Sequence, residues 1–352
     1  MANQARHYGG IADLGGTVSG TGNRTNVVAI AELLERARAD DIFIPALDLK
    51  PVPENKSETA SWRRMVNDAV VTTTITEGVN PDWQAVTYED VTGTFEERVE
   101  VYAVTSRARR LSEDDHVANS VEQLKDKVLR IRNAVGWSKW LAGSTVLRND
   151  PAHAAIDDVD GPISLGIIQE GIRLLDDAKA MHFTEVDDGG MFNGTVPIEP
   201  SFIAFGHTNM LPDLRRVDGF VTPAEYGSAK AISKHEKGNV ENTRWLLSPE
   251  LTPIINAGAA VGTTNMKSTA GTNIDVYPVL IVGMGALGAA DLKGDNDDGW
   301  GNVSVQILDD ADKADPANLN VLAVAHWWDL QLILNDTWVV RLEVGVTDDL
   351  TA

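Results

Sequence analysis

The sequence predicts an α+β fold, on three observations. A long amphipathic stripe marks one helix at about residues 113–146. β-Branched and alternating segments flank it in the chain, at 70–103 and 322–346. Helices and strands otherwise follow one another without the regular spacing of βαβ units, and no internal repeat is present.

With 352 residues, 43% of them hydrophobic, the chain is long enough for one large domain or two ordinary ones with a sizeable core. Asp and Glu outnumber Lys and Arg by 52 to 30, giving a net charge of -22. Binding to phosphates depends on clustered basic side chains that displace counterions, so this balance argues against a protein built to grip nucleic acid. The absence of cysteine removes disulfides, thiolate metal sites and cysteine nucleophiles. Residues 1–26 lack the basic start and apolar core of a signal peptide. No run approaches the ~20 apolar residues of a membrane helix. Synthesis in the cytoplasm and no membrane partner are expected.

Residues 1–26 are rich in Gly, Thr and Asn and read as a flexible arm. A short helix follows, with Val27, Ile30, Ala31, Leu34 and Ala37 on one face. Pro45, Pro51 and Pro53 keep residues 45–58 extended. Next comes a β-ribbon. Val70 to Thr76 is β-branched almost throughout, and Asn80-Pro81-Asp82 marks a turn. From Phe95 the pattern alternates, Val99, Val101 and Ala103 sharing a face with Glu97, and Arg98, Glu100 and Tyr102 sharing the other. A ribbon with so few large apolar side chains cannot build a core alone and needs a surface outside itself.

The long helix has Ser112 as its expected N-cap, and Glu113, Asp114 and Asp115 in the first turn, where the helix dipole favours negative charge. Val117, Val121, Leu124, Val128, Ile131 and Val135 form its stripe, with Trp137 and Trp140 near the end. At 1.5 Å per residue its length is about 50 Å. A second helix is expected over 164–180, a buried strand at Phe202–Phe205, a short helix containing Leu211 and Leu214, another short helix over 223–233, and an apolar strand from Tyr277 to Val282. Residues 291–301 read as an acidic loop, and 322–325 and 337–346 as closing strands. Adjacent Trp327 and Trp328 fit opposite faces of a strand.

Gly283-Met284-Gly285-Ala286-Leu287-Gly288 follows an apolar strand and matches G-x-G-x-x-G, the dinucleotide turn. The context fails it, because only Ala289 to Leu292 remain for a helix before Lys293-Gly294-Asp295. A tight bend of small residues is the plainer reading. Asp295 to Gly299 lacks the calcium-loop register and its twelfth-position Glu, and His235-Glu236 is followed by Asn239 where a metal-binding helix needs a second His. No catalytic, metal or cofactor constellation emerges.

The order of elements is informative where the motifs are not. Flexible arm, extended ribbon, long spine helix, mixed domain and β-rich return resemble the capsid subunit of tailed bacteriophages, the Hong Kong 97-type fold. Thr74-Ile75-Thr76-Glu77-Gly78-Val79-Asn80-Pro81, Asp213-Leu214-Arg215, Tyr277 to Gly283 with Ala286-Leu287-Gly288, and Asp315-Pro316 with Ile333-Leu334-Asn335 resemble segments of the major capsid proteins of podoviruses related to coliphage N-four. Lys237-Gly238-Asn239 and His326-Trp327-Trp328 depart from that family's pattern.

The resemblance implies an N-terminal arm and short helix (1–45), an extended loop (46–108), a peripheral domain with the spine helix (109–205), an axial domain (206–304) and strands returning to the peripheral domain (305–352). It implies a non-enzymatic major capsid protein that assembles into hexamers and pentamers around double-stranded DNA. Scaffolding, portal and decoration proteins are its further expected partners, and no cofactor is expected. Trp62, Arg63 and Arg64 at the ribbon's base, with Glu113, Asp114 and Asp115, are the expected intersubunit contacts. The alternatives are an encapsulin-like cellular shell and a nucleotide-dependent enzyme using Gly283–Gly288.

Overall fold

The structure, a computed structural model, describes residues 41–50, 52–53, 57–66, 77–78, 80, 85–111, 115–187, 195–226, 231–262, 265–293, 305–310 and 316–348. The short helix expected at 27–37, the β-branched run 70–76, Ser112, Glu113, Asp114 and the loop beyond Lys293 lie outside these residues.

In chain order the elements are β1 (Leu47–Leu49), β2 (Val52–Pro53), β3 (Thr59–Met65), β4 (Tyr88–Thr94), β5 (Glu96–Thr105), α1 (Ser106–Leu111) and α2 (His116–Trp140). Then come β6 (Val146–Arg148), α3 (Leu165–Asp177), β7 (Phe183–Asp187), β8 (Thr195–His207) and α4 (Leu211–Arg216). The chain closes with β9 (Glu236–Val240), β10 (Thr243–Ser248), β11 (Tyr277–Val282), β12 (Leu287–Lys293), β13 (Val305–Leu308), β14 (Asn320–Ile333) and β15 (Val339–Val344).

Two sheets organise the molecule. The seven-stranded sheet runs β6-β15-β11-β8-β10-β9, with β7 on β8. Its strands β10, β11 and β15 are buried on both faces, so alternate residues enter different cores. Phe202, Ala204, Trp245, Val279, Ile281 and Leu342 pack with Ile168 and Leu175 of α3. Ile203, Phe205, Leu246, Leu280, Val282 and Val339 meet Trp137 and Trp140 at the end of α2. Phe43 fills the same core, edge-on to Trp140 at 4.4 Å and 4.8 Å from Phe205. Each such side chain contributes about 1.5–3 kcal/mol through burial.

In the second sheet β14 is central. β5 lines one of its edges from Thr105 opposite Asn320 to Glu96 opposite Asp329. β13 and β12 share the other edge. α2 covers the odd-numbered face, where Leu124 and Val128 meet Ala323, Ala325 and Trp327. The spine helix therefore ties both sheets together. Gly136 lets it approach closely, because a Cβ there would lie 2.7 Å from the Gln331 Oε1.

The sequence expectations are corrected at five places. α2 starts at His116 and has 25 residues, about 37 Å rather than 50 Å, and its N-cap is Asp115, whose carboxylate accepts from the Val117 and Ala118 amides. On β5 the charged face turns inward, since Arg98 pairs with Asp329, Lys127 pairs with Glu100 and lies over the Tyr102 ring, while Val99 and Val101 are exposed. The strand foreseen at 322–325 extends to Ile333. No helix fills 223–233 among the described residues; a 3-10 turn at Pro223–Glu225 leads toward β9 instead. The expected loop from Asp291 begins as the end of β12. Trp327 and Trp328 do take opposite faces of β14, one against α2 and the other against the ribbon.

Candidate functional site

Among the described residues no group of three or more His, Cys, Asp or Glu is arranged to hold a metal ion. No helix of the described residues is long and apolar enough to cross a membrane. The glycine run Gly283–Gly288 joins β11 to β12, strand to strand, so the helix N-terminus that would receive a pyrophosphate does not follow it. Its glycines serve packing: a Cβ on Gly288 would meet the Leu334 side chain at 2.8 Å, and Gly285 has a φ of 76°.

Three of the residues singled out from sequence, Trp62, Arg63 and Arg64, lie together on the ribbon. β3 and β4 pair antiparallel from Thr59 opposite Thr94 to Met65 opposite Tyr88. The ribbon's base finds its surface within its own subunit, where Ala60, Trp62 and Phe95 pack with Ala290 and Leu330. Trp62 is 8% exposed. Gly93 permits this seating, since a Cβ there would come within 2.7 Å of Leu330.

Arg63 and Arg64 stand opposite Asp90 and Glu89. Arg63 donates to both carboxylate oxygens of Asp90, at 2.7 and 2.9 Å, and lies over the Tyr88 ring. This hydrogen-bonded pairing raises the Arg63 pKa above its ordinary value and lowers that of Asp90. Arg64 donates to Glu89 from Nε at 2.9 Å and from its terminal nitrogen at 2.7 Å. Trp62, Arg63 and Arg64 all line a groove of about 560 Å³ between the ribbon and the β11–β12 and β14–β15 turns. Asp115 stands apart from them, exposed at the start of α2; Glu113 and Asp114 lie outside the described residues.

Sequence reasoning missed a buried polar seam where α2, β5 and β14 meet. Asp329 is 2% exposed, accepts from Arg98 Nε at 3.1 Å, and has a second carboxylate oxygen without a hydrogen-bond partner. Burial raises its pKa, against the pull of Arg98, Arg132 and Lys139. The Lys139 ammonium donates to Glu96 at 2.7 Å, and that hydrogen bond holds the Glu96 carboxyl below the usual range. The Gln331 amide donates to the Arg132 carbonyl at 3.3 Å. The available signal was Asp329 and Gln331 at the odd, inward positions of an otherwise apolar strand.

No protein-family model and no curated protein sequence matches the chain. Solved structures do. The capsid of Ralstonia phage GP4 is 12% identical, with a TM-score of 0.63, covering 96% of this chain and 99% of that one. The head of Helicobacter pylori bacteriophage KHP40 is 11% identical at a TM-score of 0.59, covering 93% and 97%. The capsid of a native GTA particle is 11% identical at 0.54, covering 89% and 92%. The fold is the tailed-phage capsid fold of the Hong Kong 97 type. It is shared end to end with phage head subunits, although little of their sequence is.

Proposed function

We propose that this chain is the major capsid protein of a tailed phage, many copies of which close an icosahedral head around double-stranded DNA. The observation that carries the reading is the match along 96% of this chain and 99% of the GP4 capsid subunit, at a TM-score of 0.63. The net charge of -22 suits a wall that encloses DNA without adhering to it. The protein's place is then the virion, after synthesis and assembly in the host bacterial cytoplasm, with scaffolding, portal and decoration proteins as its other partners. Negative-stain microscopy of the overexpressed chain tests this. Closed shells or rings of capsomers are expected, and a chain that stays monomeric at all concentrations overturns it.

Within this reading the ribbon reaches beyond the sheet that seats its base and lies across a neighbouring subunit; Trp62 is taken up by its own subunit's core, and Arg63 and Arg64 contact acidic groups such as Glu113 to Asp115 there. Reversing Arg63 and Arg64 to Glu sets each against Asp90 and Glu89 on its own ribbon as well as against the neighbour. Assembly yield is expected to fall about tenfold or more while the subunit's melting curve shifts little, since exposed pairs add little stability. Normal particles from that variant would remove these residues from the interface.

A further inference from the structure

One end of the second sheet carries a surface that the described residues leave uncovered. β5 ends at Thr105 opposite Asn320, and Leu308 at the end of β13 lies opposite Leu322, so strand register gathers three segments at this corner. α1 follows β5 directly, and the Ser106 amide donates to the Leu319 carbonyl at 2.7 Å. Arg109 pairs with Asp309 at 2.5 Å, and the Asn318 side chain donates to the Asp309 carbonyl at 2.7 Å. The Arg109 hydrogen bond holds the Asp309 carboxyl below its ordinary range. Asn318 sits in the left-handed region, at a φ of 48°, to make the turn. The corner is fixed in place by these links.

Despite that order, Leu111 is 75% exposed, Leu319 57%, Ile307 52% and Leu308 50%. Single exposed aliphatic residues are ordinary; several around one rigid corner, with the consecutive strand residues Ile307 and Leu308 on its two faces, mark a contact surface. Arg107 and Arg110 are exposed beside them on α1, and the charge of Arg110 also acts on Asp309. Arginine set around aliphatic anchors is the composition of interface cores.

We propose that this corner is a contact surface for a second copy of the chain, which buries Leu111 and Leu319 and supplies carboxylates to Arg107 and Arg110. Charge selects the occupant. With 52 acidic and 30 basic residues, another copy carries carboxylates in excess, and an exposed arginine pair is the scarcer complement. Exposed Asp310 on the same corner adds the opposite sign, so the corner is self-complementary, as closed symmetry between identical subunits requires. A phosphate backbone would satisfy the arginines but leave the four aliphatic residues in water. The proposal rests on the capsid reading and names where copies meet.

The full-length chain tests it, as wild type and as Arg107→Glu/Arg110→Glu, Leu319→Asp, and the double reversal combined with Asp310→Arg. Sedimentation and negative-stain microscopy read shell yield, and thermal melts read the folded subunit. Each of the first two variants is expected to melt like wild type and to lose about tenfold or more in shell yield, with partial recovery in the charge-swapped triple variant. Wild-type yield from both overturns the contact and leaves the capsid reading standing; a wild-type chain that never assembles overturns both. Hydroxyl-radical footprinting reads the same surface without mutation. Protection of Leu111 and Leu319 in shells relative to free subunits supports the contact. Unchanged labelling, or protection given by a scaffolding protein and lost in the shell, overturns it.

Discussion

At the residue scale, Asp329 shows how a buried charge depends on partners far away in sequence. Its carboxylate is 2% exposed and hydrogen-bonded through one oxygen only, to Arg98 on a different strand. Because burial raises its folded pKa above 3.8, the folded chain takes up this proton at a higher pH than the unfolded chain does. For this group the protonated form therefore favours folding: stability is gained as pH falls through the raised value toward 3.8 and is reduced above it. Asp329→Asn mimics the protonated state and retains the Arg98 contact. The variant's free subunit is expected to be more stable than wild type at pH 7, by about 1 kcal/mol, with the difference shrinking toward zero near pH 4. Urea unfolding at both values checks the sign. A variant less stable at pH 7 would show that the attraction of Arg98, Arg132 and Lys139 outweighs desolvation.

At the element scale, α2 was the most legible part of the fold and still held two surprises. Its apolar stripe was plain in Leu124 and Val128, which pack as periodicity requires. Its start was not, because Ser112 and Asp115 are both capable caps, and only the geometry shows that Asp115 accepts from two amides at 3.1 Å. Asp115→Ala is expected to cost about 1 kcal/mol and to speed hydrogen exchange in the first turn of α2, leaving the turns near Trp137 protected. Uniform exchange along the helix would place the cap elsewhere. The second surprise is Asp126, Arg132 and Asn133, polar residues buried on a helix whose sequence stripe is apolar. Periodicity cannot reveal a residue such as Asn133, since what makes its burial tolerable lies far along the chain: Glu250 accepts from the Asn133 side chain at 2.9 Å, 117 positions later. The extent of β14 was hidden for the same reason, His326, Asp329 and Gln331 interrupting an apolar pattern that only tertiary partners complete. On the ribbon, Trp62 to Arg64 stood out in sequence, but their partners Asp90 and Glu89 depend on a pairing register that composition does not encode.

At the scale of the whole molecule, the ribbon and the spine helix occupy opposite faces of one strand. Even-numbered residues of β14, Trp328 and Leu330, receive the ribbon; odd-numbered residues, Ala325 and Trp327, receive α2. On the capsid reading, the direction of the reaching arm is set by a small local core, separate from the large cores around the seven-stranded sheet. Trp62 is the largest side chain that the ribbon contributes to that small core. Removing it vacates the seat without entering the main cores, so its effect is local. Trp62→Ala is expected to loosen the ribbon by about 3 kcal/mol while the body melts near its wild-type temperature. Limited proteolysis is expected to cut the variant between residues 57 and 95 at least about tenfold faster than wild type, with the rest of the chain surviving as a resistant fragment. Shell yield should fall with it, because an arm whose direction is not fixed must lose more conformational freedom on docking to a neighbour. If the body instead unfolds together with the ribbon, the two faces of β14 form one cooperative unit, and the arm's direction is set by the whole sheet rather than by Trp62.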